Sequence, residues 1–178
     1  MRTTIFIFHP NLNHESKVNQ VLANAARNAG IDVRDMYALY PNFKINVAAE
    51  QEILAKTDRI VLQFPMYWYN APALMKEWLD RVLVYGWAYG SHGTALRGKE
   101  LLLAVTQGAH DSDYRVNGRF HVTTEELMKP FMTIQYLTGL KFLPTFSLAD
   151  AMNLSNEDLQ KAGQNYVERL LDNPKEKK

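Results

Sequence analysis

No cysteine occurs anywhere in the chain. That excludes thiol nucleophiles, disulfides and thiolate metal sites together, and it suits a reducing compartment. No run approaches the roughly 20 apolar residues of a spanning helix. The apolar Ile5–Phe8 segment is far too short for a signal-peptide core, so a cytoplasmic protein is the expectation. Neither sign of charge dominates: 20 Lys and Arg against 19 Asp and Glu leave a net charge of +1. A nucleic-acid partner, which calls for a concentrated basic face, is therefore not expected. The histidines, His9, His14, His92, His110 and His121, form no H-x-H or H-E-x-x-H pair, and no metal site is expected. The glycines form no G-x-G-x-x-G or Walker fingerprint, which withdraws support from dinucleotide and nucleoside-triphosphate folds.

What is present is an ordinary globular composition with a strong alternation of elements. An apolar share of 47% over 178 residues is enough to build a real core. Thr3–Phe8, Ile31–Met36, Asp58–Phe64, Glu100–Thr106 and Lys141–Ser147 read as strands, several of them apolar throughout and so buried on both faces. Between them, Lys17–Ala29, Pro72–Tyr85 and Thr123–Leu137 read as helices, the last interrupted by Pro130. A final helix opens at Ser155, with Asp158 placed to complete a capping box. Strands alternating with helices predict a three-layer α/β sandwich with a five-stranded parallel sheet, in the flavodoxin-like order 2-1-3-4-5. One domain over residues 1–172 and a charged, frayed tail over 173–178 are expected. In such sheets ligands bind at the carboxyl ends of the strands near the switch point. The loops that begin at His9, Pro65 and Thr106 are thus the ones to inspect.

The first loop, His9 to Asn19, feeds a helix start whose free N–H groups and dipole favour a phosphate. Ser16 and Asn19 add side-chain donors and Lys17 a charge, although Ser16 also reads as a simple helix cap. His9 is either a satisfied buried residue or a group near a phosphate. In the second loop, Pro65-Met66-Tyr67-Trp68-Tyr69-Asn70-Ala71-Pro72, two prolines bracket an aromatic cluster suited to a planar ring. The plainer reading packs Trp68 and Tyr69 on the following helix. The third loop, Thr106-Gln107-Gly108-Ala109, lets backbone N–H groups approach a ligand closely. Tyr85–Gly93 is unusually aromatic and glycine-rich, and either walls a pocket or packs in a dimer interface. Tyr114 and His121 are candidate proton donors.

Taken together these segments resemble the flavodoxin-like NAD(P)H:quinone oxidoreductases. The likeness is carried by His9-Pro10 after strand one, PMYWYNAPALMKEWLDRV (Pro65–Val82), YGWAYG (Tyr85–Gly90) and GTALRGKELLLAVT (Gly93–Thr106). Within that family LYPNFKINVAAEQEIL (Leu39–Leu54) is similar to the ancillary oxidoreductase subunits of glutathione-gated potassium efflux antiporters. That segment also reads as a loop and short helix shaping a dimer.

The resemblance implies FMN, in preference to FAD, as cofactor and NADH or NADPH as hydride donor. It implies two-electron reduction of a quinone by a ping-pong scheme. It places His9, Ser16, Lys17, Val18 and Asn19 around the phosphate and ribityl chain. Pro65, Met66, Tyr67 and Trp68 fall along the ring edge, and Thr106, Gln107, Gly108 and Ala109 near the pyrimidine end. Tyr114 and His121 correspond to the catalytic tyrosine and histidine, and Tyr69, Trp87 and Tyr89 to the substrate pocket. A homodimer with its sites at the interface is implied, together with a possible peripheral antiporter partner at the inner membrane. Regulation of such an antiporter, or azo- or nitro-reduction, are the alternative activities. The chain departs from the pattern at Gln107, where relatives carry glycine, and in a first loop one residue longer between His9 and Ser16.

Overall fold

The computed structural model describes residues 1–13 and 16–172. His14, Glu15 and the tail expected to fray, 173–178, lie outside the described residues. A parallel sheet forms the middle layer. Its strands are β1 (Thr3–Ile7), β2 (Asp32–Asp35), β3 (Arg59–Pro65), β4 (Glu100–Thr106), β5 (Lys141–Phe142) and β6 (Phe146–Leu148). The order is β2-β1-β3-β4-β5, with β6 also pairing β4. The fold is flavodoxin-like, in the order that the alternation predicts.

Period-two alternation distributes the strand side chains between two helix layers. Phe6, Phe8, Ile60, Leu62, Phe64, Leu101, Leu103 and Val105 meet one layer, around Trp78. Ile5, Ile7, Val61, Leu102 and Ala104 meet the other. The first layer holds α2 (Met36–Leu39), α3 (Val47–Lys56), α4 (Ala73–Val82), α5 (Thr124–Leu127) and α6 (Lys129–Thr138). The second holds α1 (Lys17–Asn28) and α7 (Asn156–Leu171). All seven residues of β3 and of β4 are buried, which is why both read as mostly apolar runs, with Arg59, Gln63, Glu100 and Thr106 the polar exceptions.

Two expected elements are each divided in two, both times at proline. The predicted strand Lys141–Ser147 is β5 and β6. Leu143 N–H still donates to Leu101 O at 2.8 Å, but Pro144 has no N–H to continue the ladder. Six strand segments therefore occupy the five expected positions. The predicted helix Thr123–Leu137 is α5 and α6, divided at Met128, with Pro130 in the first turn of the second helix. There the missing donor costs nothing. The capping box of Ser155 and Asp158 is present, both halves made.

Buried charge fastens the layers at the other end of the sheet and on one flank. Arg59, 1% exposed, donates to Glu100 at 2.7 Å and to the terminal carbonyls of Leu170 and Asp172, both at 2.7 Å. It thereby satisfies orphan acceptors at the end of α7. Glu50, fully buried on α3, accepts from Arg34, from Tyr40 at 2.6 Å and from the Trp78 indole at 3.1 Å. Burial and the Glu50 carboxylate push the Tyr40 phenol up to about 12, so it remains a donor. Tyr40 and Glu50 of the Leu39–Leu54 segment are thus committed to the core. The segment is a loop and short helices.

Candidate functional site

The carboxyl ends of β1, β3 and β4 open on a cleft of about 460 Å³. The chain reverses its strand order here, since β1 is followed by β2 on one side and β3 on the other. One wall is the start of α1. His9, Ser16, Lys17, Val18 and Asn19 line it. Ser16 Oγ accepts from Asn19 N–H at 3.1 Å, so the hydroxyl serves as the cap. First-turn N–H groups of Lys17 and Val18 have no acceptor within their own helix. His9 is buried, and its Nδ1 accepts from Asn11 N–H at 3.1 Å. The proton of the neutral ring therefore sits on Nε2.

Pro65, Met66 and Tyr67 line the second wall. Met66 N–H donates to Thr106 O at 2.8 Å and so continues the sheet into the loop. Tyr67 and Asn70 then exchange both backbone hydrogen bonds, at 2.9 and 3.0 Å. Between them Trp68 (φ 48°) and Tyr69 (φ 61°) are both left-handed. Two left-handed central residues are the geometry of a type I′ turn, which normally takes Asn-Gly. Two bulky aromatics there cost of the order of 1–2 kcal/mol each. What the strain achieves is display. Trp68 is 91% exposed and does not pack on the following helix, while Tyr69 turns edge-on to Phe120 at 5.4 Å.

Thr106, Gln107 and Gly108 form the third wall. The Gln107 side chain is turned out of the way and donates to Thr124 Oγ1 at 2.8 Å, while its N–H donates to Leu148 O at 2.9 Å. A Cβ built on Gly108 meets nothing within 4 Å. The space beside that backbone belongs to the cleft, not to packing. Ala109 and Trp68 flank the cleft without lining it.

A fourth wall, Ala151 and Met152, has no counterpart in the sequence reading. It is bound to the third: Asp150 and Ala151 donate to the carbonyls of Ala109 and Gln107, each at 2.9 Å. Asp150 has φ 57° and pairs with His110 at 3.2 Å. The only local hint was Asp150 and Asn153, turn-forming residues joined at 2.7 Å.

Below the cleft a buried polar chain ties the walls together. Asn19 Nδ2 donates to Thr106 Oγ1 at 2.9 Å, and Gln63 Nε2 donates to the Asn19 main-chain carbonyl at 3.0 Å and to its Oδ1 at 3.2 Å. Tyr166 on α7 donates to Gln63 Oε1 at 3.1 Å. Burial drives the Tyr166 phenol well above its ordinary value, so it remains a donor.

Neither candidate proton donor lines the cleft, but Tyr114 reaches the loop of its third wall. Its ring lies 5.0 Å from that of Phe120, and its phenol meets the Ala109 backbone. Burial, with Tyr69 and Asp113 nearby, raises its pKa. His121 is exposed and strained at φ 54°, with Nδ1 3.3 Å from Val116 O. Trp87 packs partly buried against the Trp78 core. Tyr89 lies edge-on to Tyr85 at 5.7 Å and lines a separate groove of about 590 Å³ between α4 and α6, which reaches the second loop at Asn70 and Ala71. Within this one chain, Tyr69, Trp87 and Tyr89 all lie outside the lining of the cleft, Tyr69 being next but one to Tyr67, which does line it.

A parallel sheet of this order, with its cleft over the switch point, defines the class. Residues 1–170 match the family described as flavodoxin-like fold, and the chain belongs to that family. It is 47% identical, over 97% of both chains, to the protein named uncharacterized NAD(P)H oxidoreductase YrkL of Bacillus subtilis. It is 41% identical, over 94% of both, to the glutathione-regulated potassium-efflux system ancillary protein KefF of Salmonella dublin. Among solved structures it is similar to general stress protein 14 of Treponema denticola, crystallised in complex with FMN. That likeness has a TM-score of 0.90 at 37% identity and covers 96% of this chain and 98% of the other. It is also similar to an NADPH-quinone reductase of P. pentosaceus, at TM-score 0.86 and 31% identity, over 97% and 99%.

The buried chain yields a stability prediction. Asn19→Ala strands Thr106 Oγ1 and removes Asn19 Oδ1, the second acceptor of the Gln63 amide at 3.2 Å, and should cost about 1–3 kcal/mol. Urea unfolding measures this, and an unchanged midpoint with unchanged slope would show that the amide does not join the walls.

Proposed function

We propose that the protein is an FMN-dependent NAD(P)H:quinone oxidoreductase working by two-electron hydride transfer in a ping-pong sequence. One observation carries this reading. A helix start suited to a phosphate, a rigid aromatic loop and an open glycine backbone face one another across a single cleft. The residues fit FMN. First-turn N–H groups of α1, with Lys17 beside them, suit its phosphate. The space beside Gly108 suits a flat ring that a Cβ would displace. The FMN-bound relative supports the same assignment, and a single cleft of this size favours FMN over the longer FAD.

Bound there, FMN would supply the hydride-accepting and hydride-donating chemistry. The protein's own residues bind, orient and exclude water. Ser16, Lys17 and Val18 would hold the phosphate end, with Asn19 bracing that helix start from below and His9 behind them. Pro65 to Trp68 would lie along the ring edge, and within Thr106 to Ala109 the Gly108 N–H would offer a donor to negative charge at the other end. Tyr114, kept neutral, donates a hydrogen bond at the rim, with His121 as its partner donor. Nicotinamide nucleotide and acceptor use the same open face in turn, against the displayed Trp68 and Tyr69. A second copy of the chain would bring Trp87 and Tyr89 to that face, so we propose a homodimer. Quinone is the favoured acceptor because a structural relative is a quinone reductase; turnover with azo and nitro compounds separates the narrower alternatives. The likeness to KefF supports a second reading, a regulatory subunit of a potassium efflux antiporter.

The wild-type protein is expected to take up FMN stoichiometrically and to show flavin absorption bands. Gly108→Val should leave the flavin-free melting temperature within a degree or two. It should abolish most of the rise that saturating FMN produces. A colourless wild-type protein that refuses FMN would sink the flavin reading and leave the regulatory one. Tyr114→Phe should lower turnover by about 10²-fold with little change in FMN affinity. The raised phenol pKa has a definite sign: the proton is retained as pH rises past the ordinary 10.0. Loss of rate through this group is therefore expected only above pH 10, and a limb assigned to it below that value would contradict the role. Sedimentation should find a dimer at micromolar concentration, whereas a fully active monomer would remove Trp87 and Tyr89 from the pocket.

A further inference from the structure

The loop between β4 and α5 carries a cation that none of the proposed roles uses. Arg119 is exposed, and its guanidinium lies 5.5 Å from the centroid of the Phe120 ring. Among the described residues it forms no salt bridge, although carboxylates are close in sequence. Each of those is engaged elsewhere. Asp111 holds Arg115 at 2.6 Å, Asp113 accepts from His110 N–H at 3.2 Å, and Glu126 caps α5 through Thr123 at 2.9 Å.

The loop that presents this cation is built, not slack. Gly118 N–H donates to Arg115 O at 2.9 Å, Phe120 N–H to Asp113 O at 3.1 Å and His121 N–H to Gly118 O at 3.2 Å. A Cβ on Gly118 would fall 2.3 Å from Ser112 O, so the turn closes only around glycine. Phe120, under the guanidinium, also meets the rings of Tyr69 at 5.4 Å and Tyr114 at 5.0 Å. An aromatic shelf thus runs from the second loop of the cleft to an exposed, uncompensated guanidinium. A ring-bearing ligand lying along the shelf from the cleft would bring any phosphate it carries toward Arg119.

We propose that Arg119 is a binding residue for a phosphate group of the nicotinamide nucleotide; this rests on the proposed use of NAD(P)H. A planar guanidinium binds phosphate in two parallel hydrogen bonds, which an ammonium cannot reproduce. The aromatic face beneath it fixes its orientation before the ligand arrives. The phosphate could be the 2′-phosphate that distinguishes NADPH from NADH, or the pyrophosphate common to both.

Fragments without a nicotinamide ring separate these sources and need no turnover. Binding of 2′,5′-ADP, of ADP and of adenosine to the full chain is measured by calorimetry for wild type, Arg119→Ala and Arg119→Lys. Wild type should bind at least one phosphate fragment better than adenosine. Arg119→Ala should weaken that fragment about tenfold or more, with Arg119→Lys between the two. Weakening confined to 2′,5′-ADP identifies the 2′-phosphate, and KM for NADPH should then rise while KM for NADH does not. Equal weakening of both fragments identifies the pyrophosphate, and both KM values should rise. Unchanged fragment affinities in Arg119→Ala, or a wild type that prefers neither fragment to adenosine, overturn the proposal. FMN absorption is followed in the same samples. A chain that binds the fragments but refuses FMN would end the flavin reading and leave the phosphate subsite standing.

Discussion

Asn19 cannot satisfy its own amide without fixing three elements at once. It sits in the first turn of α1, it is 2% exposed, and water is not at hand to hydrogen-bond it. Its side-chain Nδ2 donates to Thr106 at the end of β4, and Gln63 near the end of β3 donates both to its Oδ1 and to its main-chain carbonyl. The remaining Gln63 acceptor takes the Tyr166 hydroxyl from α7. A buried polar chain of this kind tolerates no partial answer, because each stranded group costs its full desolvation. The helix start that suits a phosphate is therefore held at a set height against the two loops that suit a ring.

The opposite end of the sheet is secured by a different device. Arg59 is drawn out of water by β3 and compensated by Glu100 and by the closing carbonyls of α7. On the flank, Glu50 gathers Arg34, Tyr40 and Trp78. Such sites need every partner, since a buried charge deprived of one is expensive. With the scaffold fixed at its base and flank, the carboxyl edge can carry conformations that are costly in themselves. Trp68, Tyr69, His121 and Asp150 all hold positive φ there. Among the described residues, four of the five non-glycine positions with positive φ, all but Phe43, lie in the loops that follow β3, β4 and β6, as expected where strain serves to display side chains.

How much was legible in the sequence follows the range of the forces involved. β3 and β4 were readable because a strand buried on both faces is apolar at most positions, here Ile60–Leu62 and Leu101–Val105. The cap and box at Ser155 were readable because four consecutive residues decide them. Proline was readable as an interruption at Pro130, while Pro144 passed unnoticed inside a short apolar run. The loops after β1, β3 and β4 were marked by topology before any residue was weighed. The Ala151–Met152 wall was not, because nothing in its composition says that Asp150 and Ala151 will donate to a loop some 40 residues earlier.

By itself, then, the sequence determined the layer order, the strand order and which loops meet at the switch point. It also determined the absence of thiol chemistry. These are consequences of hydrophobic period and residue type, which act locally. Only the tertiary structure decided what individual side chains do at the site. Asn19 and Gln107, readable as ligand donors, spend their amides on Thr106 and Thr124. Trp68, readable as packing, is displayed to solvent. Arg119, unremarkable in the chain, lies over Phe120 with its neighbouring carboxylates already engaged. A polar side chain bonds whichever partner the folded backbone brings within about 3 Å. That partner is set by long-range pairing, which no local pattern records.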